Sequence, residues 1–146
     1  MKLKILLDPN DDLRKELDAL GVTDDDSSEY ILTRKNMRIN YIQAKKDECL
    51  FYIDVSDIVY IESMGHEVYV YTADDTFVTR ERLKQLEKLL DSEQFLRVSS
   101  SAIINTQRIK RIEASIFQKF ILHMQNGARV DVTRSYYYIF KDRFNI

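Results

Sequence analysis

Two different apolar periods run along this chain, and the change between them falls near residue 30. Before it, Lys2 to Leu7 alternates weakly, as a strand does. Asp8-Pro9 then predicts a helix start, with Asp8 as N-cap and Pro9 at the first helical position. Asp11 and Asp12 fall in the first turn, where carboxylates suit the helix dipole. Leu13, Leu17 and Leu20 recur at i, i+4 and i+7 as one apolar stripe, and Gly21 supplies the stop. The run Asp24-Asp25-Asp26 with Ser27 and Ser28 reads as a solvated loop, because adjacent carboxylates do not by themselves converge on one metal ion.

Beyond residue 30 the period is two. Tyr30 to Thr33, Met37 to Ala44 and Leu50 to Asp54 predict strands, with Lys45-Lys46-Asp47-Glu48 as a polar turn. Asp57 to Ser63 predicts another, with Ile58 and Tyr60 on one face and Val59 and Ile61 on the other. Val68 to Thr72 alternates Val with Tyr, and Asp74-Asp75 turns the chain into Phe77-Val78. Thr79 and Glu81 open a helix whose buried face is Leu83, Leu86, Leu89 and Leu90, ending near Asp91. Phe95 to Val98 is extended, a short helix is expected over Ala102 to Ile104, and Ile109 to Ala114 alternates again. Asn126-Gly127 joins Gln118–Gln125 to Ala128–Val132 as a hairpin with the dipeptide of a type I′ turn. Ser135 to Phe144 places Tyr136, Ile139, Phe140 and Phe144 near helical spacing and closes the chain. The expected class is mainly β with minor α: a small β-α-β extension over 1–44, then a β-rich domain over 45–146.

Composition narrows what such a domain does. Apolar residues make up 45% and charged residues 32% of 146, a globular profile. Cys49 stands alone, which excludes an internal disulfide and points to a reducing, cytoplasmic compartment. No apolar run approaches the ~20 residues of a bilayer span, and Asp8, Asp11 and Asp12 break the apolar start too early for a signal peptide. The glycines Gly21, Gly65 and Gly127 form no phosphate-binding loop. His66 and His123 have no acids or cysteines at ligand spacing. The chain is therefore expected to be no enzyme and to take no cofactor, metal or small-molecule substrate. Net charge is −2, but its distribution is uneven. Residues 95–146 carry nine Lys/Arg against three Asp/Glu, whereas residues 50–94 carry four against ten. A basic block on an acidic body suggests a polyanion docked by one end.

The ordered segments Asp57-Ile-Val-Tyr-Ile-Glu-Ser63, Val68-Tyr-Val-Tyr-Thr72, Leu83-Lys-Gln-Leu-Glu87 and Phe95-Leu-Arg-Val-Ser-Ser-Ser-Ala-Ile-Ile-Asn105 lead on to Asn126-Gly127, Val132-Thr-Arg-Ser-Tyr-Tyr137 and Phe140-Lys141. Together they resemble the LytTR (LytR/AlgR-type) DNA-binding domain over about residues 45–146. The resemblance implies elongated antiparallel β-sheets of about ten short strands, whose loops rather than a recognition helix enter successive major grooves. It implies a response regulator-like transcription regulator that binds double-stranded DNA, as a homodimer on two half-sites. The N-terminal part resembles that of stand-alone regulators without a receiver domain, often encoded beside a small membrane protein. Residues 1–44 are then expected to serve dimerisation or partner contact, and a small membrane-protein antagonist is a further expected partner. The alternative is a protein-interaction module of the same fold with weak DNA binding.

Three places carry DNA contacts in the family: here the loop Ser63 to Glu67, the segment Arg97 to Ser101, and Arg134. Arg134 follows an alternating strand with only Asp131 as an acidic neighbour, and a guanidinium there can fork onto guanine or a phosphate pair. Ser99, Ser100 and Ser101 offer hydroxyls to phosphates or bases, or cap the short helix expected after them. His66 is either a DNA donor or an exposed loop histidine. Arg108, Lys110 and Arg111 are expected to add non-specific phosphate attraction. Asn105 is expected to be structural, binding local backbone. Two positions depart from the family pattern: many members carry Lys or Arg where Ser100 stands, and Glu67 puts a negative charge in the first contact loop.

Overall fold

A computed structural model describes residues 1–33 and 38–146, so the N-terminal end of the strand expected from Met37 lies outside the described residues. The described chain forms two compact units, Met1–Arg38 and Ile39–Ile146.

In the first unit, β1 (Lys2–Leu6), β2 (Thr23–Asp24) and β3 (Ile31–Thr33) form a sheet in the order β2-β1-β3. Both neighbours run parallel to β1, and α1 (Leu13–Ala19) makes the crossover from β1 to β2. The helix starts later than Asp8-Pro9 suggests. The Asp11 amide donates to the Asp8 carbonyl at 2.9 Å, so Pro9 occupies the second position of a β-turn, another place where its fixed φ is favourable. Ile5, Leu7 and Leu17 form the core of this unit, with Leu13 packed against it, while Leu20 is exposed.

The second unit holds ten strands. β4 (Tyr41–Lys46), β5 (Cys49–Asp54), β6 (Tyr60–Met64), β7 (Glu67–Tyr71), β8 (Thr76–Thr79), β9 (Phe95–Ser99) and β10 (Ala102–Asn105) form one sheet in the order β5-β4-β8-β7-β6-β10-β9. All of its pairings are antiparallel. β11 (Ile109–Ser115), β12 (Lys119–Met124) and β13 (Arg129–Val132) form a second antiparallel sheet. β4 lies wholly in this unit, across the boundary expected at residue 44. Lys45 and Lys46 belong to β4; the turn is Asp47-Glu48 alone, with φ of 51° and 63°, the left-handed pair of a type I′ turn.

Two cores explain the strands with no clear alternation. The first core takes Ile58, Ile61 and Ile103 together with Leu83 and Leu86 of α2 (Leu83–Leu89) and Leu90 just after it. The second takes Val59, Tyr60, Ala102 and Ile104 together with Phe120, Leu122, Val130, Val132 and Phe140. The central strands β6 and β10 are thus buried on both faces and read as continuous apolar runs. Ile58 and Tyr60 consequently do not share a face: Ile58 pairs with Ile61 in one core, and Val59 with Tyr60 in the other. The short helix expected over Ala102–Ile104 is β10 instead, each residue feeding alternate cores. A bulge in the β9–β10 pairing, where Ala102 faces Ser99 but Ile103 faces Arg97, leaves Val98 and Ser99 both buried.

The Asn126-Gly127 hairpin forms, with a different turn. Only Gly127 has positive φ, at 88°, and the Gly127 amide donates to the Met124 carbonyl at 3.0 Å. This is a type I turn closed by a left-handed glycine, and the Asn126 side chain accepts from the Ala128 amide at 3.1 Å. The chain ends in a 3-10 turn (Arg134–Tyr136) and α3 (Tyr137–Phe144). Phe140 is buried and packs on Phe120, with ring centroids 5.2 Å apart, while Ile139 of the expected stripe faces solvent.

Candidate nucleic-acid interface

Strand register puts the candidate loops at one end of the seven-stranded sheet. β10 opposes β6, with Ala102 facing Glu62 and Ile104 facing Tyr60. The Ser100-Ser101 turn before β10 therefore lies beside the Gly65-His66 turn after β6, and the Ser63 amide donates to the Ser101 carbonyl at 2.8 Å. Gly65 has a φ of 61° and His66 does not share it, which is the two-residue type II′ pattern; His66 is exposed at its tip. The second sheet joins the same end, because the Thr133 amide donates to the Val98 carbonyl at 3.0 Å and Arg134 follows at once.

Between these elements runs an open groove of about 370 Å³, lined by Glu62, Ser99, Ser101, Ala102 and the strand Arg129–Asp131 with Thr133. Arg134 is exposed at its side, and its side chain forms no ion pair or hydrogen bond with the described residues. Asp131, the one acid near it in sequence, is occupied by Lys119 at 2.8 Å. Glu67, the acid of the first loop, accepts from the Tyr69 hydroxyl at 2.7 Å, and that hydrogen bond holds the phenol above its usual pKa. Ser99 is buried, with its Oγ 3.3 Å from that of Ser101 and accepting from the Ser101 amide, whereas Ser100 is exposed. The serines thus shape their own turn, and only Ser100 stands fully out in solvent.

Arg97 is committed within the chain. Its Nε donates to the Ser99 carbonyl at 2.8 Å, Nη2 to the Ser100 carbonyl at 2.5 Å, and Nη1 to Glu87 of α2 at 2.6 Å. The planar fork of arginine suits it to brace three acceptors at once. Arg108 is likewise a brace: its Nη2 donates to the Ser56 carbonyl at 2.7 Å. Arg108 and Lys110 lie toward the opposite end of the sheet, near the start of β6, because β10 runs away from the Ser100-Ser101 turn before reaching them. Lys110 and Arg111 are exposed on β11. Asn105 is fully buried; its side chain accepts from the nearby Gln107 amide at 3.0 Å and also reaches the Ile58 carbonyl at 2.8 Å. Sequence reasoning passed over Arg129, which lines the groove from an outward position of β13; the alternation Arg129, Asp131 against Val130, Val132 is the signal that marks it.

Known proteins share this architecture. No helix among the described residues is long and apolar enough to cross a membrane. The chain is 34% identical over 90 residues to the sensory transduction protein LytT of Bacillus anthracis, covering 62% of this chain and 37% of that protein. It is 27% identical over 126 residues to the transcriptional regulatory protein LytR of Staphylococcus aureus, covering 84% and 50%. It thus spans half or less of the length of these relatives. A solved LytTr DNA-binding domain from Bacillus cereus superposes with a TM-score of 0.71 at 28% identity, covering 74% of this chain and 99% of that one. The family model of the LytTr DNA-binding domain matches residues 48–145, and the chain belongs to that family.

Proposed function

We propose that the chain is a sequence-specific transcription regulator that reads the major grooves of double-stranded DNA with turns from a β scaffold, as a dimer on two half-sites. The observation that carries this reading is Arg134: exposed, unpaired among the described residues, and next to the groove formed by Ser99, Ser101 and Arg129. Arg134 serves as the base-reading fork, with Ser100, His66 and Arg129 contacting the duplex around it. Ser99 and Ser101 hold the turn, and Arg97 positions it from behind. Lys110 and Arg111 add charge at a distance, and Arg108 fixes the scaffold. Residues 1–44 supply the dimer or partner surface.

A mobility shift on the DNA upstream of the chain's own coding sequence, at two salt concentrations, tests this. Binding should weaken by about 0.9 log units per log unit of salt for each phosphate neutralised. Arg134→Ala should cost about 1–3 kcal/mol on the preferred site and flatten the preference between sites. Binding indifferent to salt and to Arg134 would sink the proposal.

One observation favours the interaction-module reading. β5 is a sheet edge with Leu50, Phe51 and Tyr52 exposed and no Lys or Pro to blunt it, so an added strand from a partner such as a membrane-protein antagonist can pair there. Under that reading Tyr52→Lys loses the partner in pull-down and leaves DNA affinity unchanged; a retained partner removes the edge from consideration.

A further inference from the structure

The hairpin joining β11 to β12 turns through Ile116, Phe117 and Gln118, closing where Ser115 pairs with Lys119. Two large apolar side chains stand side by side at its apex, 90% and 71% exposed. Loop tips are ordinarily built from Gly, Pro, Asn, Asp and Ser. Ile and Phe there gain nothing for folding while exposed, and each forgoes about 1.5–3 kcal/mol of burial. The apex is held rather than loose. Gln118 takes a left-handed φ of 53°, and its Nε2 donates to the Tyr138 hydroxyl of α3 at 3.2 Å.

Its surroundings indicate the partner. The register pairs Phe120 with Val132, so the apex projects from the end of the second sheet where β13 gives way to Arg134. Two of the nearby acids are engaged, Asp131 by Lys119 at 2.8 Å and Glu113 facing His123 at 3.4 Å, while Asp142 of α3 stays exposed. Arg134 is exposed, and Lys141 of α3 lies 5.9 Å from the Tyr137 ring centroid. An apolar pair beside exposed cations, at the end that carries the candidate interface, fits an anionic polymer with apolar surface between its phosphates. Duplex DNA offers such surface in the base faces reached through the minor groove.

We propose that Ile116 and Phe117 form an apolar wedge that enters the minor groove beside the groove met by Arg134 and partly unstacks one base step, bending the duplex. This rests on the DNA-binding reading above. Unstacking costs a few kcal/mol per step and least at TA and CA/TG steps, so the preferred site carries such a step at a fixed offset from the bases read by Arg134.

The test uses the full chain to enrich duplexes from a random library. The enriched duplex is then measured for affinity by mobility shift and for bending by energy transfer between its ends. The double variant Ile116→Ser/Phe117→Ser is expected to bind about tenfold more weakly, to leave the duplex straighter, and to keep its base preference and unfolding midpoint. Ile116→Leu/Phe117→Leu should keep both affinity and bend. If the serine variant bends and binds as the parent does while Arg134→Ala loses preference, the wedge is overturned and the DNA-binding reading stands. If the parent enriches no sequence, both fall. If the serine variant keeps its DNA affinity but loses adhesion to phosphatidylglycerol vesicles, the apex is a membrane contact and the wedge is overturned.

Discussion

Phe140→Ala is expected to destabilise the second unit by about 3–5 kcal/mol, the range for deleting a buried aromatic ring. Phe140 is 1% exposed and touches two partners at once: Phe120 of β12, with centroids 5.2 Å apart, and Phe144 of its own helix, at 4.5 Å. Tyr137 stacks on the same Phe120 ring at 4.8 Å. α3 is short, so packing rather than helix propensity keeps it in place. The loss reaches the interface as well, because the 3-10 turn bearing Arg134 leads directly into α3. Urea unfolding should show a lower midpoint, and DNA affinity should fall even where the variant is fully folded. A change under about 1 kcal/mol would mean that the ring cluster does not clamp the helix.

Periodicity was legible for most elements with one buried face, although the expected stripes of α1 and α3 each include an exposed residue, Leu20 and Ile139. Leu83, Leu86 and Leu89 mark α2 because a surface helix has a single apolar side, and the expected Leu90 is buried just past its end. The β12–β13 hairpin was legible from Asn126-Gly127 and the alternation around it, though its turn type was not: the Asn126 side chain satisfies the Ala128 amide, and a three-residue loop replaces the two-residue one. Double burial removes the signal. Ala102, Ile103 and Ile104 serve two cores in turn, so no polar residue marks an outward face and the segment reads equally as helix or strand.

The site follows the same logic. Arg134 was legible as an exposed cation, its DNA role resting on the family resemblance: it stands at a strand end with one nearby acid, which Lys119 takes up. Arg97 and Arg108 were not, because the groups that occupy them are remote or backbone. The Ser56 carbonyl lies 52 residues from Arg108, and two of the acceptors of Arg97 are carbonyls of the turn that it supports. Residue type announces a guanidinium; only the fold says whether it is already bound. The basic C-terminal third is in that sense partly scaffold, and its outward charge rests on the few cations without an internal partner.

Asn105→Ala should cost about 1–3 kcal/mol, because the buried Ile58 carbonyl loses its side-chain donor. Asn105 ties the far end of β10 to the segment before β6 through a side-chain bond of 2.8 Å and a backbone bond to the Val59 carbonyl of 3.0 Å. It thereby fixes the register that carries the Ser100-Ser101 turn at the other end of the strand. Asn105→Asp makes a sharper test. At neutral pH its carboxylate can still accept from the Gln107 amide but has nothing to donate to Ile58, and it leaves a buried charge unpaired, a loss of about 3 kcal/mol or more. Burial raises the folded carboxyl pKa above its unfolded value of about 3.9, so the folded state binds more protons. The protonated acid donates to the Ile58 carbonyl. Relative to the parent, this variant should therefore be most stable below about pH 4 and should lose stability as pH rises through the folded pKa. Asn105→Ala should show no such slope. Urea midpoints at pH 4 and pH 7 decide it: if the two variants track each other at both, the bond to Ile58 is not what holds β10 in register.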